Sequence, residues 1–211
     1  MKVKKLTALC CVVLCLYTGC ESKNELTSTE VANAYCNLII YNDNTRISEL
    51  GMPEHVSSSF LESLNTQLET ELYSKLKLND KVKIEESKVA ELKDIYLNAL
   101  SQVSFKIHEV DSDKKHLVRI TTNYIDTAAI DAVATQESLA EVTLEDFPNA
   151  QDYLQELTNV YVDNLIKEYR NAKPSAGTHE LYFEFHKKSN IWLPKNTDDF
   201  FAQIYQSITT Q

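Results

Sequence analysis

The chain has 211 residues, 43% of them hydrophobic and 25% charged, with only 3 Gly and 4 Pro. That supplies the core of about one domain and excludes collagen-like and low-complexity architectures. A formal net charge of -10, from 21 Lys+Arg against 31 Asp+Glu, opposes attraction to phosphate backbones, so no nucleic-acid partner is expected.

Lys2, Lys4 and Lys5 form a basic start, and the apolar run Leu6 to Leu16 that follows is long enough for a signal segment but short of the about 20 residues that a transmembrane helix needs. The run closes in Leu16-Tyr17-Thr18-Gly19-Cys20, which resembles the bacterial lipoprotein signal, with Tyr17 standing where that signal usually has Leu. The resemblance implies that residues 1–19 are a signal peptide, that Cys20 is lipidated with a diacylglycerol, and that the chain is held on the extracytoplasmic face of the cell membrane. The bilayer is then its first partner, and two acyl chains give stable attachment. Removal of the three lysines takes the formal charge from -10 to -13.

Of the 5 Cys, Cys10, Cys11 and Cys15 lie in the signal segment and Cys20 carries lipid, so Cys36 stands alone and no intrachain disulfide is expected. It lies beside a helical apolar stripe with no basic neighbour, and reads as buried and inert.

Residues 20–26 read as a short polar tether, and 27–211 as a single domain. Thr27 and Glu30 make a capping box, opening a helix to about Tyr41 on whose face Val31, Ala34, Tyr35, Leu38 and Ile39 recur. Gly51-Met52-Pro53 precedes a long helix with Val56, Phe60, Leu64, Leu68, Leu72 and Leu76 every four residues; a third helix presents Val89, Leu92, Ile95, Tyr96, Ala99 and Leu100.

The period then changes from 3.6 to 2. Val103, Phe105 and Ile107, then Val118, Ile120, Thr122 and Tyr124, alternate about a turn at Asp111 to Lys114, a hairpin in which Ile107 is expected opposite Val118 and Phe105 opposite Ile120. Helical patterns resume over 128–142 and 150–172, split by Asp146-Phe147-Pro148. A second hairpin follows, Leu181, Phe183 and Phe185 against Ile191-Trp192-Leu193, and Thr197-Asp198-Asp199 caps a last helix with Phe200, Phe201, Ile204, Tyr205 and Ile208 on one face. The fold class expected is α+β, with helices packed on one face of a small curved antiparallel sheet.

The order of these features, with Tyr124-Ile125-Asp126 leaving the first hairpin and Lys187-Lys188-Ser189-Asn190-Ile191-Trp192 forming the second, resembles a family of uncharacterised lipoproteins of Gram-positive bacteria. In that family the turn before the Trp commonly holds Asp-Gly, where this chain has Ser189-Asn190. The resemblance implies a fold similar to the nuclear-transport-factor-2-like (cystatin-like) domains, which often enclose an apolar pocket. It implies no chemistry.

No catalytic constellation emerges from the residues. The five His make no HExxH pair, and the expected register puts His108 opposite Leu117 and His116 opposite Glu109, on opposite sheet faces; His179 and His186 also differ in parity. There is no GxSxG elbow, the SxxK matches at Ser74 and Ser112 fall away from helix starts, and 3 Gly cannot build a phosphate loop. Glu85-Glu86 and Glu141-Glu145-Asp146 lack calcium-loop spacing. No cofactor and no metal are therefore expected. Tyr35, Tyr96, Tyr124, Tyr153, Tyr161 and Tyr205 fall on core-facing stripes, where they suit either a semi-polar pocket or a core margin. The reading is a non-enzymatic, membrane-anchored surface lipoprotein that binds a protein or a small ligand; the alternatives are a tethered enzyme with a carboxylate or tyrosine pocket, and a chaperone-like envelope-assembly factor.

Overall fold

Helix α1 (Ser28–Tyr41) starts where the sequence places it. The Thr27 hydroxyl accepts from the Glu30 backbone N–H at 3.2 Å, and the Glu30 carboxylate accepts from the Thr27 N–H at 2.7 Å, satisfying two otherwise orphaned donors. The helix stops at Asn42, whose φ of 55° is left-handed. The computed structural model describes residues 26–47, 50, 54–76, 81–110, 116–188 and 191–209. The signal segment, Cys20 and most of the tether lie outside them, as do the turns at 51–53, 111–115 and 189–190.

Thr27→Ala should cost about 1 kcal/mol, the usual loss for an N-cap, read as a lower urea midpoint. Hydrogen bonds from Thr27 hold the Glu30 carboxyl below its ordinary value. That share of the stability is complete above the ordinary carboxylate range and disappears as pH falls through the lowered value; because Thr27→Ala keeps the backbone N–H and the cap bond it loses does not titrate, the gap between wild type and variant should narrow in acid without closing.

The remaining elements are α2 (Glu54–Leu76), α3 (Glu86–Leu100), β1 (Phe105–Val110), β2 (His116–Thr122), α4 (Thr127–Glu141), a 3₁₀ turn at Leu144–Asp146, α5 (Ala150–Asn171), β3 (His179–Lys188), β4 (Ile191–Pro194) and α6 (Thr197–Ser207). Asn196 caps α6, its side chain accepting from the Asp199 N–H, so the expected cap at Thr197 lies one residue inside the helix. The four strands form an antiparallel meander in the order β1-β2-β3-β4, with the α4–α5 hairpin inserted between β2 and β3.

The β1–β2 register differs from the expected one by two residues: Ile107 faces Ile120 and Phe105 faces Thr122. A shift of two keeps every side chain on the same sheet face, so alternation alone could not separate the two registers. Tertiary contacts decide it. Thr122 is buried and its hydroxyl reaches the Ser207 carbonyl at 3.2 Å at the end of α6, while β3 pairs along β2 from Thr122↔His179 to His116↔Phe185.

Helices α1 and α6 cover one sheet face, α3 lies behind α1, α5 packs on α3, and α4 is outermost against α5. Helix α1 is therefore buried on both sides, and Ala32, Cys36 and Ile40 join its expected stripe in the core. Phe200 of α6 is the hub: its ring lies 4.5 Å from Phe183, 5.9 Å from Tyr35, and 6.0 Å from both Phe185 and Phe201. Helix α2 is a satellite of α3, tied by a Lys93–Glu69 ion pair at 2.7 Å; Leu76 of its stripe is buried, whereas Leu68 and Leu72 are only partly covered.

Candidate functional site

The stripes set the tyrosines facing inward, and each meets a packing or hydrogen-bonding partner. Tyr35 meets Phe200 and Phe201 edge-on. The Tyr96 and Tyr205 hydroxyls are 2.9 Å apart, joining α3 to α6, and the Tyr96 ring meets Tyr169 edge-on at 5.2 Å. The Tyr161 hydroxyl donates to Asp131 of α4. Tyr124 packs on His179 at 4.8 Å, and Tyr153 on Phe147 at 6.0 Å.

Tyr169, part of the same cluster, escapes a reading that credits only the clearest stripe positions, although its place four residues beyond buried Leu165 was a usable signal. Burial pushes the Tyr161 and Tyr169 phenols upward, and the Asp131 charge adds to both shifts. Neutral phenols of this kind, Tyr161 hydrogen-bonded to Asp131 and Tyr169 packed on Tyr96, hold helices together; as bases they would be poor at physiological pH.

Two surface clefts are lined by none of these tyrosines. One, of about 190 Å³, lies where β3 and β4 meet the start of α6, lined by His186, Lys188, Leu193, Lys195, Asn196 and Asp198 among others. The other, of about 220 Å³, lies at the opposite end of the hairpin, between the start of β1, the end of β2 and the α5–β3 connection. Its polar lining includes Ser104, Lys106, Thr121, Asn123, Ser175 and Thr178. Hydrogen bonds fix that wall: the Asn123 side-chain Oδ1 accepts from the Ser104 N–H at 2.7 Å, and the Ser175 N–H donates to the Tyr124 carbonyl at 2.7 Å. A Cβ on neighbouring Gly177 would stand 3.1 Å from the Tyr124 hydroxyl, so a larger residue there would push that ring. Hydroxyls, an amide and one ammonium can hydrogen-bond a small polar ligand. The lining holds no histidine or carboxylate to activate a hydroxyl as a nucleophile.

The histidines are dispersed. His108 lies opposite Arg119, not Leu117, and His116 lies beyond the β1 pairing, so neither takes its expected partner; the two still differ in parity and face. The His116 ring meets Trp192 at 4.3 Å and sits 3.8 Å from the Glu109 carboxylate. Among the described residues, no three His, Cys, Asp or Glu side chains are grouped to hold a metal ion. Cys36 is fully buried, and burial pushes its thiol upward.

The chain matches no protein-family profile and no curated protein sequence. Its fold is similar to a solved structure, that of a proposed lipoprotein, ycdA, from Bacillus subtilis subsp. subtilis strain 168, with a TM-score of 0.58 over 89% of this chain at 12% identity. The chain spans 57% of the length of that protein. Among the described residues no helix is long and apolar enough to cross a membrane.

Proposed function

We propose that this chain is a surface lipoprotein, anchored on the extracytoplasmic face of the cell membrane through a diacylglycerol on Cys20, whose single α+β domain acts by binding rather than by catalysis. The observation that carries the reading is the order Lys2 to Lys5, Leu6 to Leu16, Gly19-Cys20, followed directly by a domain that begins at the Thr27 capping box. A fold shared with a proposed lipoprotein supports it. The nuclear-transport-factor-2-like assignment belongs to the same proposal, supported by a four-stranded meander with helices across one face. The small-ligand arm rests on the cleft of hydroxyls beside Lys106. The protein-partner arm is favoured by large apolar side chains exposed on and just after α4.

Cys20→Ala should abolish metabolic acyl labelling and leave the precursor uncleaved at that site. A membrane-held, acyl-labelled product of that variant would overturn the anchor. Native mass spectrometry beside the denatured spectrum tests the cleft: a mass excess lost on denaturation supports a small ligand, and a bare protein mass removes that arm.

A further inference from the structure

The cleft of about 220 Å³ at the end of the β1–β2 hairpin is built on paired strands. Lys106 lies directly opposite Thr121, and beyond the Phe105↔Thr122 pair the register continues through Ser104 and Asn123, the Asn123 N–H donating to the Ser104 carbonyl at 3.2 Å. Strand parity sets Ser104, Lys106, Thr121 and Asn123 on one sheet face, opposite to that of Ile107, Ile120 and buried Thr122. Helices α1 and α6 pack on the second of these faces, so the four polar side chains stay open to a ligand. Ser175 and Thr178 of the α5–β3 connection line a further side.

These groups offer mostly donors. The Asn123 Oδ1 is taken by the Ser104 N–H, which leaves the Nδ2 hydrogens, and the Ser175 Oγ accepts from the Gly177 N–H at 3.2 Å, which leaves its hydroxyl proton. Among the described residues, the Ser104, Thr121 and Thr178 hydroxyls and the Lys106 ammonium have no hydrogen-bond or ion-pair partner within the protein. Although the chain has 31 Asp+Glu, the lining holds no carboxylate to neutralise Lys106. The carboxylate next along the sheet, Glu180 opposite Thr121 on β3, is engaged by the Tyr182 hydroxyl at 3.2 Å and by Arg119 at 3.8 Å.

We infer that this cleft takes a small water-soluble oxyanion, a carboxylate or phosphate whose oxygens accept from Lys106, the Ser104 and Thr121 hydroxyls and the Asn123 amide. The inference rests on the small-ligand arm of the proposed function and names the class of that ligand. A cation finds no carboxylate here, and a neutral polyol leaves the ammonium uncompensated. A solute fits better than a headgroup of the anchoring bilayer. Tyr41, at the end of α1 away from the tether, packs on Phe105 at 5.7 Å and donates to the Val103 carbonyl, so the 14-residue α1, about 21 Å long, separates the cleft from the tether.

An amide chemical-shift titration of the isotope-labelled full chain in nonionic detergent tests this, at constant ionic strength because exposed charges respond to salt by themselves. Sodium phosphate and sodium acetate should each give saturable shifts at the amides of Ser104 to Lys106, Thr121 to Asn123 and Ser175 to Thr178, and sodium chloride and glucose should give none. Lys106→Ala should weaken phosphate binding about tenfold, the scale of one charge-assisted hydrogen bond, while Lys106→Arg retains it. Because Lys106 is exposed, both variants should fold, which the rest of the spectrum checks. Shifts spread over the surface, a response matched by chloride, or indifference to Lys106→Ala would each overturn the inference. A stronger response to dihexanoyl phosphatidylglycerol than to phosphate would overturn the solute and point to a lipid headgroup. Shifts with glucose alone would overturn the anion and leave a small ligand standing. Silence at these amides with every probe would overturn the site, and the native mass spectrum then decides separately whether a small ligand binds elsewhere.

Discussion

Phe200→Ala should be among the most damaging single truncations in the chain, lowering stability by about 3–5 kcal/mol, the usual cost of deleting a buried aromatic side chain. The Phe200 ring is fully buried, meets Tyr35 of α1, Phe183 and Phe185 of β3 and Phe201 of its own helix, and so couples the last helix to the first across the sheet. Removing it leaves a cavity among four buried rings that close packing keeps them from filling. The same truncation at Phe147, half-buried and meeting Tyr153 edge-on, should cost about 1 kcal/mol. Urea denaturation of the two variants beside the wild type separates these outcomes. Equal midpoint shifts would mean that the α6–sheet contact is not the centre of the core.

The Cys36 thiol should react with an aromatic disulfide reagent in the native protein on the order of a thousandfold more slowly than after unfolding, because a fully buried group reacts only when the structure opens. On the proposed removal of residues 1–19 and lipidation of Cys20, Cys36 would be the sole thiol, so the measurement would need no substitution. Burial holds the thiol protonated above its ordinary range. The unfolded chain therefore releases a proton that the folded chain keeps, and stability declines as pH rises from the ordinary thiol value toward the raised one. Phe200→Ala should speed the native reaction in proportion to its loss of stability, since Tyr35, the residue before Cys36, packs against Phe200. Fast labelling of the wild type at neutral pH would place Cys36 outside the core.

The elements themselves were legible, because the signals that define them are local. The Thr27–Glu30 box opens α1, alternating Phe105, Ile107, Val118 and Ile120 lie in paired strands, and the Phe200, Ile204 and Ile208 stripe is buried. The hairpin register was not legible. Two registers a pair of residues apart bury the same side chains, and the choice rests on the Thr122 hydroxyl meeting Ser207, some eighty residues along the chain. The tyrosines were located but their role was not: a stripe gives the direction of a phenol, and only the assembled helices show Tyr96 on Tyr205 and Tyr161 on Asp131.

What the sequence determined by itself was therefore the signal-like start ending at Cys20, the acidic balance, the isolation of Cys36 and the α+β alternation, all properties of neighbouring residues or of composition. The tertiary structure alone decided which face of α4 looks outward. Its pattern offers two faces, one with Asp131, Glu137 and Glu141 and one with Ala132, Gln136 and Leu139, and hydrophobicity would have buried the second. Ala134 and Ser138 of α4 turn inward against α5, the carboxylates flanking them each accept a donor from Tyr161, Asn164 or Lys167, and the apolar face is left to solvent.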